Sequence, residues 1–525
     1  MTISPLSRPP LYWPALLPMA VLKLLIHFVA NAQSDFGLHR DEYLYVTESQ
    51  HLTWGYVEVP PMTAFLGWIA RLIFGNNEFA VRFFPALIGA ISILVVALLV
   101  RQLGGSKYAQ ILAAGAFLFS PVFLGSNNLF QPVSFNQFIW LVAAWTSVRL
   151  VNDWTANATT PDRFASKYWY VLGIVAGLGF LTKYSVVFFF AALLGAFLLS
   201  RFRKIYLIRY PYLSLAIATA IALPNILWQI NHDFPVVRHM AELRSQQLVH
   251  MRTVDFLVPQ FLSHFASSIV WIVGLIALFT QSRLRPYRFL GTTFLLVLFL
   301  LWLSSGKSYY AYGAYGMLFA AGGVAFERWW GKGALVLIPV IALLNLPAYP
   351  IALPILTVEK MKSYSRSMRA VGITNPFRWE DGVVRELPQD FADMLGWEEI
   401  PQKVSARFHQ LPPEQQKTCL LFAAHYGQAG VMNFYRNKYD LPETYCFNAS
   451  FPAWANPDLT ITCQFDIDDN RQDASESFEQ SVLVDSIAHP DARDPGYIYF
   501  KSNPKRDLTP VWRELVLEAR EQAGY

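Results

Sequence analysis

Cysteine and charge are both scarce in this sequence. Its 525 residues include three cysteines, none of them before residue 419, and charged residues make up 15% of the chain. The spacing of Cys419, Cys446 and Cys463 fits no zinc-binding pattern. Two alternatives stay open for them: one disulfide with one thiol left over, or unpaired and partly buried thiols.

Apolar side chains, by contrast, are abundant. Hydrophobic residues make up 54% of the chain and aromatic residues 15%, which is too apolar for an ordinary soluble protein of this length. The net charge is only +5, and the basic residues sit in short loops between apolar segments. A membrane protein is therefore predicted, and nucleic acid is excluded as an expected partner.

Apolar segments of about 20 residues predict about eleven membrane spans. They are residues 11–32, 80–100, 108–125, 133–150, 168–182, 184–200, 210–230, 256–280, 286–304, 309–326 and 333–356. The first is followed by Ala30-Asn31-Ala32, which is typical of a signal-peptidase site, but its apolar length favours a retained span. Lys183 and Tyr184 predict a tight turn at the membrane surface, because a lysine at mid-bilayer costs about 3 kcal/mol.

The loops between these segments predict the orientation of the chain. With the N-terminus in the cytoplasm, every cytoplasmic loop carries Lys or Arg, as the positive-inside rule expects. These loops are 101–107, 149–167, 201–209, 281–288 and 327–332. An odd number of spans then exports the C-terminal part. The remaining exported segments are 33–79, 126–132, 231–255 and 304–308.

The composition changes at about residue 357, beyond which no segment is apolar and long enough to span a bilayer. About 170 residues remain, which suffices for one soluble domain. Residues 417–439 predict a buried strand, a turn at His425 to Gly427 and a helix, which is typical of an α/β domain. The predicted architecture is a helical polytopic membrane domain, 1–356, followed by a soluble α/β domain, 357–525.

The first exported segment, 33–79, places His39, Arg40, Asp41 and Glu42 directly after a membrane span. Asp41 and Glu42 are expected to begin a helix, because negative side chains are favourable at a helix N-terminus. Residues 62–74 form a second apolar stretch that is expected to lie along the membrane interface. An acidic helix start within a solvated charge cluster would explain the same pattern without any function.

The exported segment 231–255 also collects ionisable residues. Among them, His232 and Asp233 are adjacent in sequence, whereas ligands on one helix face would be three or four residues apart. A flexible segment that binds lipid headgroups or gates an acceptor is therefore preferred over a metal site.

Several motifs, in consistent order, resemble the GT-C glycosyltransferases of the protein-mannosyltransferase and aminoarabinose-transferase type. They are "HRDEYLY", "HLTWGYVEVPP", "FGNNEFAVRFFPALIGA", "GLGFLTKYS", "LPNILWQINHDFP", "GKSYYAYGAYGMLFAAGG" and "HYGQAGVMNFYRNKYDLP". The resemblance implies an inverting transferase of the bacterial inner membrane that uses no cofactor. Its donor would be a sugar on a polyprenyl phosphate, usually undecaprenyl, and its acceptor a lipid A, glycan or protein hydroxyl on the periplasmic face.

The resemblance also implies roles for individual residues. Asp41, with Glu42 beside it, would be the catalytic carboxylate that acts as a base, because a hydroxyl attacking an anomeric carbon must lose its proton. Lys307, in a Lys-x-Tyr-Tyr pattern, would meet the leaving phosphate. Further phosphate contacts would come from Arg40, Lys183, Tyr309 and Tyr310. Substrate contacts would come from His39, Glu58, Asn128, Gln131 and Asn136.

Two departures from the family pattern bear on this assignment. Many relatives carry a carboxylate near the second exported loop, whereas residues 127–140 contain none. Either the amides there suffice, or Glu58 takes the role. In addition, Val59 stands where the aminoarabinose branch carries a lysine, which argues against that sugar.

Lys307 and the tyrosines around it have a second interpretation. A lysine at a span end can extend to the interface while Tyr309, Tyr310, Tyr312 and Tyr315 form an aromatic belt that faces lipid headgroups.

Two other function classes compete with a transferase. A lipid or sugar transporter or flippase predicts internal repeats, broken helices and ionisable residues at mid-membrane. No internal repeat is found in this sequence. A receptor that works through its exported domain leaves the many predicted spans unexplained.

Overall fold

The computed structural model of the chain describes residues 9–156, 166–246, 252–471 and 477–525. The first seventeen α-helices are numbered α1 to α17. They are α1 (Trp13–Ala32), α2 (Arg40–Glu48), α3 (Met62–Phe74), α4 (Glu78–Gln102), α5 (Lys107–Leu118), α6 (Pro121–Ser126), α7 (Pro132–Ala156), α8 (Tyr168–Thr182), α9 (Val186–Leu198), α10 (Tyr210–Asn231), α11 (Pro235–Gln246), α12 (Thr253–Leu262), α13 (Ser268–Thr280), α14 (Arg288–Leu303), α15 (Tyr315–Trp330), α16 (Leu337–Leu344) and α17 (Tyr349–Ala352).

The remaining elements mix helices and strands. They are α18 (Val358–Ala370), α19 (Gln389–Ala392), α20 (Glu399–Phe408), α21 (Pro413–Gln416), β1 (Cys419–Ala423), α22 (Tyr426–Tyr439), β2 (Thr444–Tyr445), β3 (Cys463–Asp468), β4 (Phe478–Asp485), β5 (Tyr497–Pro504) and α23 (Thr509–Ala523). The predicted fold class is therefore confirmed in outline, because a mainly helical chain ends in a region that contains a sheet.

Two compact units make up the chain. The first contains Met1–Ala32, Arg82–Leu227 and Met240–Ile355, and the second contains Gln33–Val81, Trp228–His239 and Leu356–Tyr525. The second unit thus combines the first predicted exported segment with the C-terminal part of the chain. The division into a membrane domain, 1–356, and a periplasmic domain, 357–525, stays a prediction, because it refers to a membrane.

The first unit holds most of the apolar helices. In the described residues, five helical segments are long and apolar enough to cross a membrane, or six if one bent pair counts as a span. Each of the eleven predicted spans coincides with helical structure, but several are interrupted, and the number of spans stays a prediction.

The predicted span 256–280 is the clearest interruption. It consists of two helices bent by 85° instead of one straight helix. Pro259 lies inside the first of them, and Phe265, at the bend, has a φ of 45°. A positive φ takes the backbone out of the right-handed helical region, so Phe265 accounts for the break between the two helices. The predicted turn after α8 is present, because Lys183 ends that helix and α9 begins at Val186.

The second unit is built on a five-stranded mixed sheet with strand order β2-β1-β3-β5-β4. β1 pairs with β2 and β3 in parallel, and β5 is antiparallel to β3 and β4. The predicted buried strand and following helix correspond to β1 and α22. Cys419 and Cys463 are register partners on β1 and β3 and form a disulfide, while Cys446 is buried and free. The alternative with one disulfide is therefore correct.

Candidate functional site

The predicted catalytic segment forms the N-terminus of α2 in the second unit. His39 is the N-cap, and its Nδ1 accepts the backbone N–H of Asp41 at 3.1 Å. In return, Glu42 Oε2 accepts the backbone N–H of His39 at 2.7 Å. This reciprocal capping box satisfies two helix donors, and it explains why the predicted helix begins at Arg40.

Asp41 and Glu42 are adjacent but have different surroundings. Glu42 is fully buried, and one of its oxygens holds the helix cap. Asp41 is half-buried, and its Oδ1 accepts a hydrogen bond from the Tyr426 hydroxyl at 2.8 Å. A base must be reachable by a substrate hydroxyl. Of the two predicted catalytic carboxylates, Asp41 therefore has the better placement.

The Arg40 side chain contacts other residues of the second unit. Its Nη1 lies 3.9 Å from Asp494 Oδ2, and its guanidinium lies 5.6 Å from the centre of the Tyr426 ring. His39, a predicted substrate contact, has Nε2 3.8 Å from Asp393 Oδ2. Both side chains thus have anionic neighbours, and their predicted contacts with substrate stay predictions.

A group of three potential metal ligands lies near Arg40. The candidate ligand atoms of His425, Asp469 and Asp494 lie within 4.8 Å of one another. However, His425 Nδ1 accepts the backbone N–H of Gly427 at 3.0 Å, so a neutral imidazole carries its proton on Nε2. That nitrogen faces Asp469 at 3.5 Å and Asp494 at 3.6 Å.

A metal ion needs a lone pair on the nitrogen that binds it. This geometry therefore favours contact of the Nε2–H with the two carboxylates over metal binding. Burial, before any other cause, raises the pKa of Asp494, and His425 and Arg40 oppose that shift. The expectation that the protein uses no cofactor stays a prediction.

Two further acids lie close together in the second unit. Glu48 is fully buried, and neither of its oxygens has an N–H or O–H donor among the described residues. Burial and the neighbouring Glu58 raise the pKa of Glu48 well above its usual value, and burial also raises the pKa of Glu58. Glu58 Oε2 accepts from the Ser450 hydroxyl at 2.8 Å. The two carboxyl groups are adjacent, so they favour a shared proton over two charges.

Apart from Arg40, the predicted phosphate contacts lie in the first unit, near the ends of its helices. Lys183 Nζ lies 4.8 Å from the ring centre of Tyr310 and 5.4 Å from that of Tyr309. Lys183 and Lys307 are also close enough to repel each other. Two neighbouring ammonium groups with aromatic faces beside them are a combination that suits contact with an anion.

The aromatic-belt alternative fails for two of its tyrosines. Tyr312 and Tyr315 are buried, and their hydroxyls lie 2.6 Å from Ser263 Oγ and 2.7 Å from Gln260 Oε1. They therefore pack inside the first unit and do not face lipid headgroups.

The side chains predicted as amide contacts lie in different parts of the first unit. Asn136 Nδ2 donates to Ser185 Oγ at 3.3 Å, two residues beyond Lys183. Asn128 is buried, with Oδ1 3.4 Å from His27 Nδ1 on α1. Gln131 is half-buried at the start of α7. Asn136 therefore lies near the lysine pair, whereas Asn128 contacts α1.

The segment 231–255 is partly helical. Residues 235–246 form α11, and His250 lies outside the described residues. His232 stacks on Trp228 at 4.2 Å, and Asp233 is 93% exposed. The two adjacent side chains therefore have different surroundings, and the preference against a metal site here stays a prediction.

Structural comparison decides the fold. A crystal structure of ArnT from Cupriavidus metallidurans bound to undecaprenyl phosphate matches 93% of this chain and 98% of that one, with a TM-score of 0.58 and 14% identity. The chain has the GT-C fold. The fold that the sequence motifs predicted is thereby confirmed, and the chain is a multi-pass membrane protein.

Sequence comparison reaches the same superfamily over part of the chain. Residues 58–228 match the family described as dolichyl-phosphate-mannose-protein mannosyltransferase. An undecaprenyl phosphate-α-4-amino-4-deoxy-L-arabinose arabinosyl transferase of Pseudomonas fluorescens is 28% identical over 48% of this chain and 44% of its own length. The lipid A galacturonosyltransferase RgtD of Rhizobium johnstonii is 27% identical over 46% of this chain and 47% of its own. The matches thus span less than half of these GT-C relatives.

Sequence reasoning did not single out Tyr426, Glu48 or Asp494. Tyr426 is 385 positions from the carboxylate that it contacts, so no local spacing could pair them. It lies within "HYGQAG", a motif that pointed only to the start of the exported domain.

Proposed function

We propose that the protein is a glycosyltransferase that moves a sugar from a polyprenyl-phosphate donor to an acceptor hydroxyl. The observation that carries this proposal is the placement of Asp41. Its carboxylate is half-buried in the first turn of a capped helix, in a chain with the GT-C fold. The positive end of the helix dipole stabilises a carboxylate there, which suits a base that must be ionised before it acts.

In the proposed reaction Asp41 takes the proton of the acceptor hydroxyl while that oxygen attacks the anomeric carbon. The bond from the anomeric carbon to the phosphate oxygen breaks in the same step, so the sugar inverts. The lipid phosphate leaves as an anion. General-base assistance of this kind contributes about 10² to 10⁴ in rate.

The leaving phosphate is proposed to meet Lys307 and Lys183 in the first unit. The mutual repulsion of these ammonium groups supports an anion site, since a phosphate would neutralise both. The rings of Tyr309 and Tyr310 both lie beside Lys183 and limit the movement of its side chain.

The second unit is proposed to lie in the periplasm, with the N-terminus in the cytoplasm. The disulfide of Cys419 with Cys463 supports this orientation, because disulfides persist in oxidising compartments. The exposed apolar side chains of α3 support its predicted place at the membrane interface. They are Phe65, Trp68, Leu72 and Ile73.

The relatives support a class of donor and acceptor. One is named for an undecaprenyl-phosphate aminosugar and another for transfer of galacturonic acid to lipid A. We propose an undecaprenyl-phosphate sugar as the donor and a lipid A, glycan or protein hydroxyl as the acceptor. Val59, in place of a lysine, argues for a sugar other than aminoarabinose.

Mass spectrometry of envelope glycolipids and glycoproteins tests the proposal without knowledge of the sugar. A strain that lacks the chain should lose one hexose-, pentose- or uronate-sized mass, and the wild-type chain should restore it. Asp41→Asn should not restore it, whereas Asp35→Asn should, because Asp35 is exposed in the same segment. Full restoration by Asp41→Asn would refute the proposed base.

A lipid or sugar transporter is the alternative, and two observations favour it. The bent pair α12 and α13 is a broken helix, and Lys23 is fully buried within α1, where its Nζ donates to the Phe123 carbonyl at 2.8 Å. Proteoliposomes separate the two functions. Sugar transfer that requires Asp41 supports the enzyme, and lipid movement that survives Asp41→Asn supports transport.

A further inference from the structure

Asp41 and Tyr426 lie in the first turns of two capped helices of the second unit. His39 caps α2 by accepting the N–H of Asp41, and His425 caps α22 by accepting the N–H of Gly427. Each histidine precedes the helix by one residue, so Asp41 and Tyr426 both lie in a first turn whose backbone is fixed by a cap. The Tyr426 hydroxyl reaches Asp41 Oδ1 at 2.8 Å.

Two glycines on α22 allow the helices to come this close. A Cβ on Gly430 would lie 2.8 Å from Tyr43 Cβ and 3.0 Å from the Tyr43 carbonyl carbon. A Cβ on Gly427 would lie 2.5 Å from Arg40 Cγ. Any side chain at position 430 would collide with the backbone of α2, so glycine is required for this approach.

The Tyr426 hydroxyl acts only as a hydrogen-bond donor towards Asp41. Burial and the negative charge of Asp41 raise the pKa of Tyr426, while Arg40 opposes that shift. The phenol therefore keeps its proton at physiological pH and cannot replace Asp41 as the base. Arg40 lies over the ring and limits its rotation.

We propose that Tyr426 is a positioning residue, supplied by the C-terminal part of the chain, that holds the Asp41 carboxylate in one orientation for the acceptor hydroxyl. This inference rests on the proposed function. Tyr426 takes no proton and forms no covalent bond. Its hydrogen bond keeps one Asp41 rotamer while the carboxylate accepts the proton of the attacking hydroxyl. A charge-assisted hydrogen bond of this type changes a rate by about tenfold.

Tyr435 provides a matched control. Like Tyr426, it is half-buried on α22 and bonds through its hydroxyl to side chains of the second unit, but its partners are Tyr43 and Glu398. Tyr426→Phe and Tyr435→Phe therefore remove the same atom from the same helix. Only the first removes a contact with Asp41.

The experiment uses the purified full chain in proteoliposomes. The probes are undecaprenyl-phosphate 4-amino-4-deoxy-L-arabinose and polyprenyl-phosphate galacturonic acid, each with lipid A as acceptor. Tyr426→Phe should lower kcat about tenfold, with the donor KM changed less than about twofold, because the hydrogen bond acts on the base and not on donor binding. Tyr435→Phe should leave both constants within about twofold of the wild type.

Asp41→Ala separates the two proposals. Full turnover in Asp41→Ala refutes the proposed function itself. If Asp41→Ala is inactive while Tyr426→Phe matches Tyr435→Phe, only the positioning role is refuted. A raised kcat in Tyr426→Phe would also refute it, because the phenol would then be occupying the place of the acceptor.

A thermal double-mutant cycle tests the contact whichever sugar is the substrate. Tyr426→Phe should lower the melting midpoint more in the wild type than in Asp41→Ala, since the hydrogen bond is already absent there. Equal decreases in both backgrounds would show that the two side chains are not coupled, and would refute the inference.

Discussion

Glycines bring helices close together in both units, but the second unit adds other means of fixing its elements. In the first unit α13 and α15 meet through glycines, and a Cβ on Gly322 or Gly274 would lie 2.0 Å from a backbone oxygen of the facing helix. In the second unit histidine caps, ion pairs and a disulfide fix the elements. Lipid supplies no hydrophobic force between helices, so close backbone contact replaces it there.

The ionisable groups of the two units also differ. The first unit brings two lysines together beside tyrosine faces. The second unit contains carboxyl groups that either accept a hydrogen bond, as Asp41 does, or favour a shared proton, as Glu48 and Glu58 do. An anionic leaving group matches the first arrangement and a proton acceptor matches the second.

Removal of the Lys307 charge should have the largest effect. Lys307→Gln should lower sugar transfer by about 10² to 10³, the usual loss when one stabilising donor is removed from a developing anion. Initial rates in proteoliposomes measure it. Lys332→Gln makes the same charge change at an exposed position of the first unit and should leave the rate unchanged. Equal rates for the two variants would refute the phosphate role of Lys307.

Disruption of the glycine contact should destabilise the first unit. Gly322→Leu places a side chain against the Val270 carbonyl oxygen, so α13 and α15 must separate. Overpacking of this kind costs about 3 kcal/mol, which would appear as a lower melting midpoint in detergent. Gly333→Ala is the control, because its Cβ would meet nothing closer than 3.8 Å. An unchanged midpoint in Gly322→Leu would show that the helices are not in close contact.

Removal of the disulfide should destabilise the second unit by a similar or smaller amount. Cys419→Ala with Cys463→Ala should cost about 2 to 4 kcal/mol, because the bond closes a loop with a sequence separation of 44. A reductant should lower the melting midpoint of the wild type and of Cys446→Ala, but not that of the double variant. A wild-type midpoint that is insensitive to reductant would contradict the pairing.

The buried acid pair should give a small, pH-dependent effect. Glu48 has a raised pKa in the folded chain, so unfolding releases a proton once the pH exceeds the ordinary glutamate value of 4.5. Stability should therefore fall as the pH rises from about 5 towards 8. Glu48→Gln removes this titration, and its melting midpoint should change less over the same range. Parallel curves for variant and wild type would exclude the shared proton.

Local signals in the sequence predicted much of the helical structure. The run His39 to Glu42 contains its own capping groups, so the start of α2 follows from residues within four positions. The long apolar segments likewise predict helices because the backbone must satisfy its hydrogen bonds internally in lipid. The strand and helix around His425 were also recognisable from their periodicity.

Other features depend on residues far apart in the chain. The packing of residues 33–81 with the C-terminal part was not predicted, because a span-by-span interpretation assigns each loop to its neighbouring spans. The bend near Phe265 was missed because hydropathy does not register backbone direction. The Lys183 contact with Tyr309 and Tyr310 joins segments more than a hundred residues apart, although each had been a candidate by itself.

The sequence by itself determined the membrane class, the GT-C resemblance, the helix that presents Asp41 and the residue types available for its chemistry. These depend on composition and on contacts within a few residues. Only the tertiary structure decided which cysteines pair, that Tyr426 contacts Asp41 and that Glu48 faces Glu58. Each of these pairs joins residues that have no common local pattern, and only the packing of helices and strands brings them into contact.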